Sequence, residues 1–322
     1  MMLYSTIILL ISLIFFYTSS FIAKSFNLLD MPDTVRKIHQ TPVPKIGGII
    51  IYSGLLAYFI ILSDYENNFK LIIFTSFFLI LGLIDDFFDL SSLIRLLVSF
   101  IYISIFFYFF SELRINEMLI FKKIIDLNFH FNPLIVILIT TFCVLLLQNA
   151  INMIDGINGL CAIFISISLT YLTIYYDNNF IDNFTIFLII IFVLFNLKNK
   201  IFLGNSGAYL LSSIIAYKIL KINSYNLGIT SEEIFLILIV PGLDMFRLFI
   251  MRIINKQNPF SADKNHLHHF LLNYYQYNQI KTLITYLIIS FVPLTISQFN
   301  FINDIVLIVI VILLYFLIIY ML

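Results

Sequence analysis

Eleven runs of apolar residues follow one another along this chain, each near the roughly 20 residues an α-helix needs to cross the hydrocarbon of a bilayer. They lie near 3–23, 47–63, 69–86, 93–111, 133–151, 158–176, 181–197, 204–221, 233–252, 282–298 and 302–321. The run at 47–63 is short and opens on Gly47-Gly48, and the run at 204–221 is interrupted by polar residues. Hydrophobic residues make up 61% of the chain and charged residues 11%, against about 45–50% and 25% in soluble domains. With a mean hydropathy of +1.03, a chain of this length has more apolar surface than one aqueous core can hide, so lipid must be its solvent. The expected fold is an all-α polytopic integral membrane protein of about eleven transmembrane helices, forming one transmembrane domain over 1–322.

Several classes fall away on composition. A net charge of +0 leaves no broad basic footprint for nucleic acid. Cys143 and Cys161 both sit in apolar runs, which argues against a disulfide framework or a cysteine zinc site. The apolar start from Met2 to Tyr17 has no basic leader and no small-residue cleavage site, and reads as a retained first span.

Eleven crossings place the termini on opposite sides. In or beside the loops after odd-numbered spans lie Lys24, Arg36, Lys37, Lys45, Arg95, Lys198, Lys200, Arg247, Arg252, Lys256, Lys264 and Lys281; the other side has Lys70, Arg114, Lys122, Lys123, Lys218 and Lys221. Twelve cations against six make the odd loops cytoplasmic by the positive-inside rule. The N-terminus then faces out and the C-terminus in.

All five unusual polar clusters fall at those odd loops. They are Asp33 to His39 with Pro42 to Gly48, Asp85-Asp-Phe-Phe-Asp89, Asn149 to Leu160, Phe202-Leu-Gly-Asn-Ser-Gly207, and Pro259 to His269. Such convergence on one face points to one cytoplasmic site. Asp85 and Asp86 are costly in mid-membrane, at about 2.5–3.5 kcal/mol for one charge, and belong at the cytoplasmic end of the third span. With Asp89 one turn away they suit a divalent ion or a shared proton; a solvated helix end is the plainer alternative. Asn149, Asn152 and Asp155 recur every three residues along one helix face, as oxygen ligands for a metal or as readers of a base, with interhelical polar contacts as the alternative. Phe202 to Gly207 suits an anion beside a stacking aromatic, or is a plain turn with an Asn-Ser cap. His266, His268 and His269 lack the spacing of a zinc site; with Arg252, Lys256 and Lys264 they suit a pyrophosphate, and a solvated basic loop is the alternative.

Together and in this order, the clusters from Asp33 to His269 resemble the polyprenyl-phosphate N-acetylhexosaminyl-1-phosphate transferases. Pro259-Phe-Ser-Ala-Asp-Lys-Asn-His-Leu-His-His269 is similar to the WecA-type ending, as is the eleven-span layout. The resemblance implies that Asp85 and Asp86 engage the lipid phosphate and assist its attack. It implies magnesium, with manganese as a substitute, on Asn152, Asn205 and Asp155. It places the nucleotide-sugar on Asn158, Phe202, His266, His268 and His269, and phosphates on Lys37, His39, Arg95 and Lys264. Asn158 and Asn205 stand where bacterial members carry aspartate. The second swap costs the metal site one negative charge, though an amide oxygen can still ligate.

The implied reaction moves a sugar-1-phosphate from a UDP-N-acetylhexosamine, UDP-GlcNAc by default, to undecaprenyl or another polyprenyl phosphate and releases UMP. It would be the first membrane step of O-antigen, capsule or wall-polymer synthesis at a bacterial inner membrane. Expected partners are those two substrates and the membrane, with a second copy of the chain as a candidate and no nucleic acid. The rival readings are a catalytically degenerate member, an intramembrane prenyltransferase and a transporter. The prenyltransferase would want a second aspartate-rich motif, where this chain has Gly159. The transporter would want mid-span charges or broken helices in repeated halves.

Overall fold

The computed structural model describes residues 2–26, 28–31, 41–62, 65–259, 265–276, 278–299 and 302–321. In chain order these form α1 (Met2–Tyr17), α2 (Ser19–Ser25), β1 (Leu29–Asp30), β2 (Val43–Pro44), α3 (Gly47–Leu62), α4 (Tyr65–Phe88) and α5 (Ser92–Phe109). After a short 3-10 turn come β3 (Glu117–Ile120), β4 (Lys123–Asp126), α6 (Leu127–His130), α7 (Pro133–Ile154), α8 (Leu160–Tyr175) and α9 (Phe180–Asn196). The chain continues with α10 (Gly204–Ser224), α11 (Ser231–Ile254), α12 (Leu267–Tyr274), α13 (Gln279–Gln298) and α14 (Asp304–Met321).

Every apolar run named above coincides with a helix. Crossing a membrane is the stricter condition. Six helices are long and apolar enough, α4, α5, α7, α11, α13 and α14, or seven if the bent pair α1–α2 counts as one span. The helices α3, α8 and α9 are apolar but shorter, and α10 is interrupted by Asn205, Ser212, Ser213 and Lys218. The first expected span is broken: α1 and α2 meet at Thr18 with a 64° bend. There the Thr18 hydroxyl donates back to the Ile14 carbonyl at 3.0 Å, a local bond that competes with the helix ladder. The all-α expectation also missed two small antiparallel pairs, β1 with β2 and β3 with β4, whose strands are too short to show a period in the sequence.

Helix starts follow ordinary capping chemistry. Thr230 and Glu233 form a reciprocal capping box on α11, while Asn132 caps α7, which opens on Pro133. Asn179 and Asn278 accept from the third residue of α9 and α13. Each bond satisfies an N–H that the helix leaves unpaired.

The chain divides into two compact units. Unit 1 comprises Met1–Ser91 and Asn158–Lys218. In it α3 packs on α1, α4 and α9, and α8 packs on α9. The N-terminal N–H groups of α3 are taken up by the loop before α10: Gly47 donates to the Phe202 carbonyl at 3.1 Å and Gly48 to that of Leu203 at 3.2 Å. Phe202 N–H in turn donates to the Pro44 carbonyl at 2.8 Å. Lys218, buried on α10, pairs with Asp177 at 2.9 Å and Asp182 at 2.5 Å, so one lysine counted toward the sidedness is an internal tie. Unit 2 comprises Ser92–Ile157 and Ile219–Leu322. There α7 packs on α5 and α11, and α11 also packs on α13 and α14.

Candidate active site

In unit 1 the site begins at the last turn of α4. Asp85 is 2% exposed, and its Oδ1 accepts from Leu90 N–H at 2.9 Å, closing the helix end. Asp86 turns the other way. Its Oδ1 accepts from Asn205 N–H at 2.9 Å and its Oδ2 from Ser206 N–H at 3.0 Å. Those donors are in the first turn of α10, where free N–H groups and the helix dipole favour an anion. Gly204 makes this approach possible. Its φ is +74°, and a Cβ there would lie 2.8 Å from Asp86 Oδ2, so both backbone and space demand glycine. Asp89 falls just past the helix, exposed and with φ of +50°.

The loop Phe202–Gly207 thus differs from its plain reading. Asn205 and Ser206 do not cap α10 from in front; they lie inside its first turn, and Asp86 of another helix supplies the cap. The Asn205 side-chain amide has no hydrogen-bond partner among the described residues. Asn158 donates through Nδ2 to Asn199 Oδ1 at 2.6 Å, and Phe202 is half-buried.

In unit 2 the run Asn149, Asn152, Asp155 closes α7. Asn149 turns back on its own helix, donating to the Leu145 carbonyl at 2.8 Å. Asn152 is half-buried, with its side-chain amide unpaired among the described residues. Asp155 is the C-cap. Arg95 lies half-buried in the first turn of α5, its Nη2 3.4 Å from Ser92 Oγ.

The three histidines open α12. His266 is the N-cap, but its ring makes no cap hydrogen bond. Instead Nδ1 meets Asp244 Oδ2 at 2.9 Å, and Asp244 Oδ1 takes the Leu267 N–H at 3.1 Å. His266 and His268 stack with centroids 5.4 Å apart and planes 9° apart, and His269 lies 4.3 Å from His268. His268 is 1% exposed, with neither ring nitrogen bonded among the described residues. A Cβ on Gly156, just past α7, would run into that ring. Burial pushes the His268 imidazole well below the ordinary histidine range, helped by the neighbouring His269 and His266, so it is neutral.

Behind the histidines is a cluster that sequence reading missed. Asp244 is 1% exposed in the middle of α11. Its Oδ1 also accepts from Arg247 Nη2 at 2.9 Å and from Tyr315 OH at 2.7 Å. Arg247 Nε donates to the Tyr315 hydroxyl at 2.9 Å, and its Nη2 also reaches the Asn265 carbonyl. Arg252 Nη1 donates to the Pro259 carbonyl at 2.8 Å. An ionisable residue inside an apolar helix is the signal that could have found Asp244; Tyr315, in an unbroken apolar run, carried none. Lys37, His39 and Lys264 lie outside the described residues, as do Asp33 and Arg36.

Among the described residues no group of three or more His, Cys, Asp or Glu could hold a metal ion. The donors expected for magnesium are nonetheless hard oxygens: the Asn205 side chain in unit 1, with Asp86 bonded to its backbone, and Asn152 and Asp155 at the end of α7. Magnesium commonly takes one or two carboxylates and completes its shell with water and substrate phosphates, and each unit by itself offers hard-oxygen donors of that type.

An apolar helical protein with a helix-capping carboxylate in one unit and a buried histidine turn in the other belongs to the polytopic membrane proteins. Comparison with known proteins narrows the class. The sequence model of the family described as glycosyl transferase family 4 matches residues 68–223. The undecaprenyl-phosphate alpha-N-acetylglucosaminyl 1-phosphate transferase of Thermotoga maritima is 33% identical over 258 residues, covering 79% of this chain and 77% of that protein. Proteins of the same name from Escherichia coli K12 and Salmonella typhi are 27% and 26% identical over 287 and 332 residues. Those alignments cover 82% and 96% of this chain, and 74% and 88% of those proteins. The chain belongs to glycosyl transferase family 4, on the branch of these relatives.

Proposed function

We propose that the protein transfers an N-acetylhexosamine-1-phosphate from a UDP-sugar to undecaprenyl phosphate and releases UMP. The observation that carries this reading is the 33% identity, over 79% of the chain, with a relative whose name states a transfer to undecaprenyl phosphate. In the reaction an oxygen of the lipid phosphate bonds to the sugar-bearing phosphorus. The bond from that phosphorus to the oxygen shared with UMP breaks, and the electron pair leaves with UMP. One phosphoanhydride replaces another, so positioning and charge compensation supply most of the rate.

Asp86, held by two backbone amides, orients the lipid phosphate or takes its proton, and Asp85 fixes the end of α4 beside it. In unit 2 the histidine turn holds the donor's phosphates through His266 and His269, with Arg95 and Lys264 as the cations. Asn158 and Phe202 read the uracil. Magnesium, held through Asn205, Asn152 and Asp155, would offset diphosphate charge when bound. The whole chain acts as one catalytic domain with eleven crossings, N-terminus out and C-terminus in, and its chemistry on the cytoplasmic face of a bacterial inner membrane. The cation bias of the odd loops supports that sidedness.

The test is UMP release by purified protein given undecaprenyl phosphate, magnesium and a panel of UDP-N-acetylhexosamines, with Asp86→Asn alongside. Lipid-dependent release that disappears in the variant is expected. Absence of release with every sugar would sink the reading for the natural chain, and Asn205→Asp would then show whether the missing carboxylate is the reason.

A further inference from the structure

We propose that Asp244, Arg247 and Tyr315 are positioning residues: they clamp the turn Asn265–His269 in the one shape in which His266 and His269 meet the donor's diphosphate. The inference rests on the transferase reading above for its ligand, but its geometry stands on unit 2 alone.

The clamp grips both the backbone and a side chain of the turn. Asp244 Oδ1 accepts from the Leu267 N–H at 3.1 Å, and Arg247 Nη2 donates to the Asn265 carbonyl, so the peptides on either side of His266 are held. Asp244 Oδ2 takes His266 Nδ1 at 2.9 Å. A carboxylate can only accept there, so the His266 proton sits on Nδ1 and Nε2 is left for another partner. His266 then stacks on His268 with planes 9° apart, which passes the fixed orientation from one ring to the next.

Tyr315 makes the clamp rigid. Its hydroxyl donates to Asp244 Oδ1 at 2.7 Å and accepts from Arg247 Nε at 2.9 Å, fixing the two charged groups against each other. On α14 the buried residues are Leu307, Val311 and Tyr315, one stripe four residues apart. Leu313 and Leu317 on the same helix are exposed, as they would be to lipid. The inner stripe of this last helix therefore ends in a hydroxyl at the histidine turn. The carboxylate is 1% exposed and already takes bonds from Arg, Tyr, His and a backbone amide, so its role passes through His266.

Full-length protein in lipid nanodiscs would be compared with Tyr315→Phe and Asp244→Asn, with rates normalised to folded protein by size exclusion. Tyr315→Phe deletes two hydrogen bonds and keeps both charges. The expected result is a rise of about tenfold in KM for the UDP-sugar, the size of a lost hydrogen bond to a charged group. The KM for undecaprenyl phosphate should stay at the wild-type value. Unchanged KM for both substrates, or losses that only track the folded fraction, would make the cluster merely structural and overturn the proposal. The second measurement needs no activity: ring 15N NMR of histidine-labelled protein at about pH 8, where an ordinary histidine is neutral. With His266→Gln for assignment, His266 should be protonated on Nδ1 and should lose that signature in Asp244→Asn. A proton on Nε2 would refute the clamp. If wild-type protein turns over no UDP-sugar, the transferase reading fails and the diphosphate with it, while the NMR result still decides whether the carboxylate sets the histidine.

Discussion

Asp86 and Asp244 are both aspartates that cap a helix other than their own, yet they are finished differently. Asp86 accepts from two backbone N–H groups at the start of α10, and no side-chain ion pair involves it among the described residues. Asp244 accepts from Leu267 N–H at the start of α12 and from Arg247, Tyr315 and His266. A carboxylate has about four lone-pair sites. Asp244, 1% exposed, takes four donors from the protein, whereas Asp86 takes two backbone donors and is only half-buried. The same residue type can thus serve chemistry in one place and architecture in another, and the number of fixed donors around it tells which.

The sharpest way to break this contrast is Asp86→Asn. Loss of the carboxylate should lower UMP release at least about a hundredfold, the lower range for a positioned acid–base group. Stability should fall by only about 1 kcal/mol, as for one weakened helix cap. A variant that melts out but keeps its activity per folded molecule would place Asp86 with Asp244, as a structural group.

A smaller effect separates backbone strain from crowding. Gly204 and Gly228 both have left-handed φ, +74° and +83°, but a Cβ on Gly228 meets nothing within 4 Å. Alanine at Gly228 should cost about 1–2 kcal/mol of stability, the left-handed penalty, and alanine at Gly204 more than that because its Cβ also crowds Asp86, each measured as the shift of thermal midpoint. Only Gly204→Ala should also reduce turnover, by about tenfold if the Asp86 carboxylate moves out of line by a fraction of an ångström.

The smallest effect is the pH response of the histidine turn. His268 is held below the ordinary histidine range by burial, so its folded pKa lies under its unfolded value. Below the unfolded value of about 6.5 the unfolded chain binds the extra proton and the folded chain does not. Stability is therefore fully present above that pH and declines as pH falls, by up to about 1.4 kcal/mol per unit. Thermal midpoints of wild type and His268→Gln between about pH 8 and 5 would show it: the wild type should lose more on acidification. Parallel curves would mean that His268 is hydrated or paired in the folded protein.

Much of this protein was legible in its sequence because lipid imposes a length on every apolar helix. The ruler of about 20 residues located all the long helices, and the cost of bare charge in hydrocarbon placed Asp85 and Asp86 at the end of α4. Spacing put Asn149 and Asn152 on the last turns of α7, while Asp155, expected on the same helix face, falls just past the helix as its C-cap. The break at Thr18 was not legible, since a hydroxyl bonding back to its own helix looks like any other threonine in an apolar run. Nor were the short strands, which hold too few residues to show a period. What only the tertiary structure decided is which polar group satisfies which. Asp86 reaches Asn205 and Ser206 across 119 and 120 residues of sequence, and Tyr315 reaches Asp244 across 71. Hydrophobic length is a local property and can be read along the chain. A hydrogen bond between distant segments depends on where folding brings donor and acceptor, and no local pattern records it.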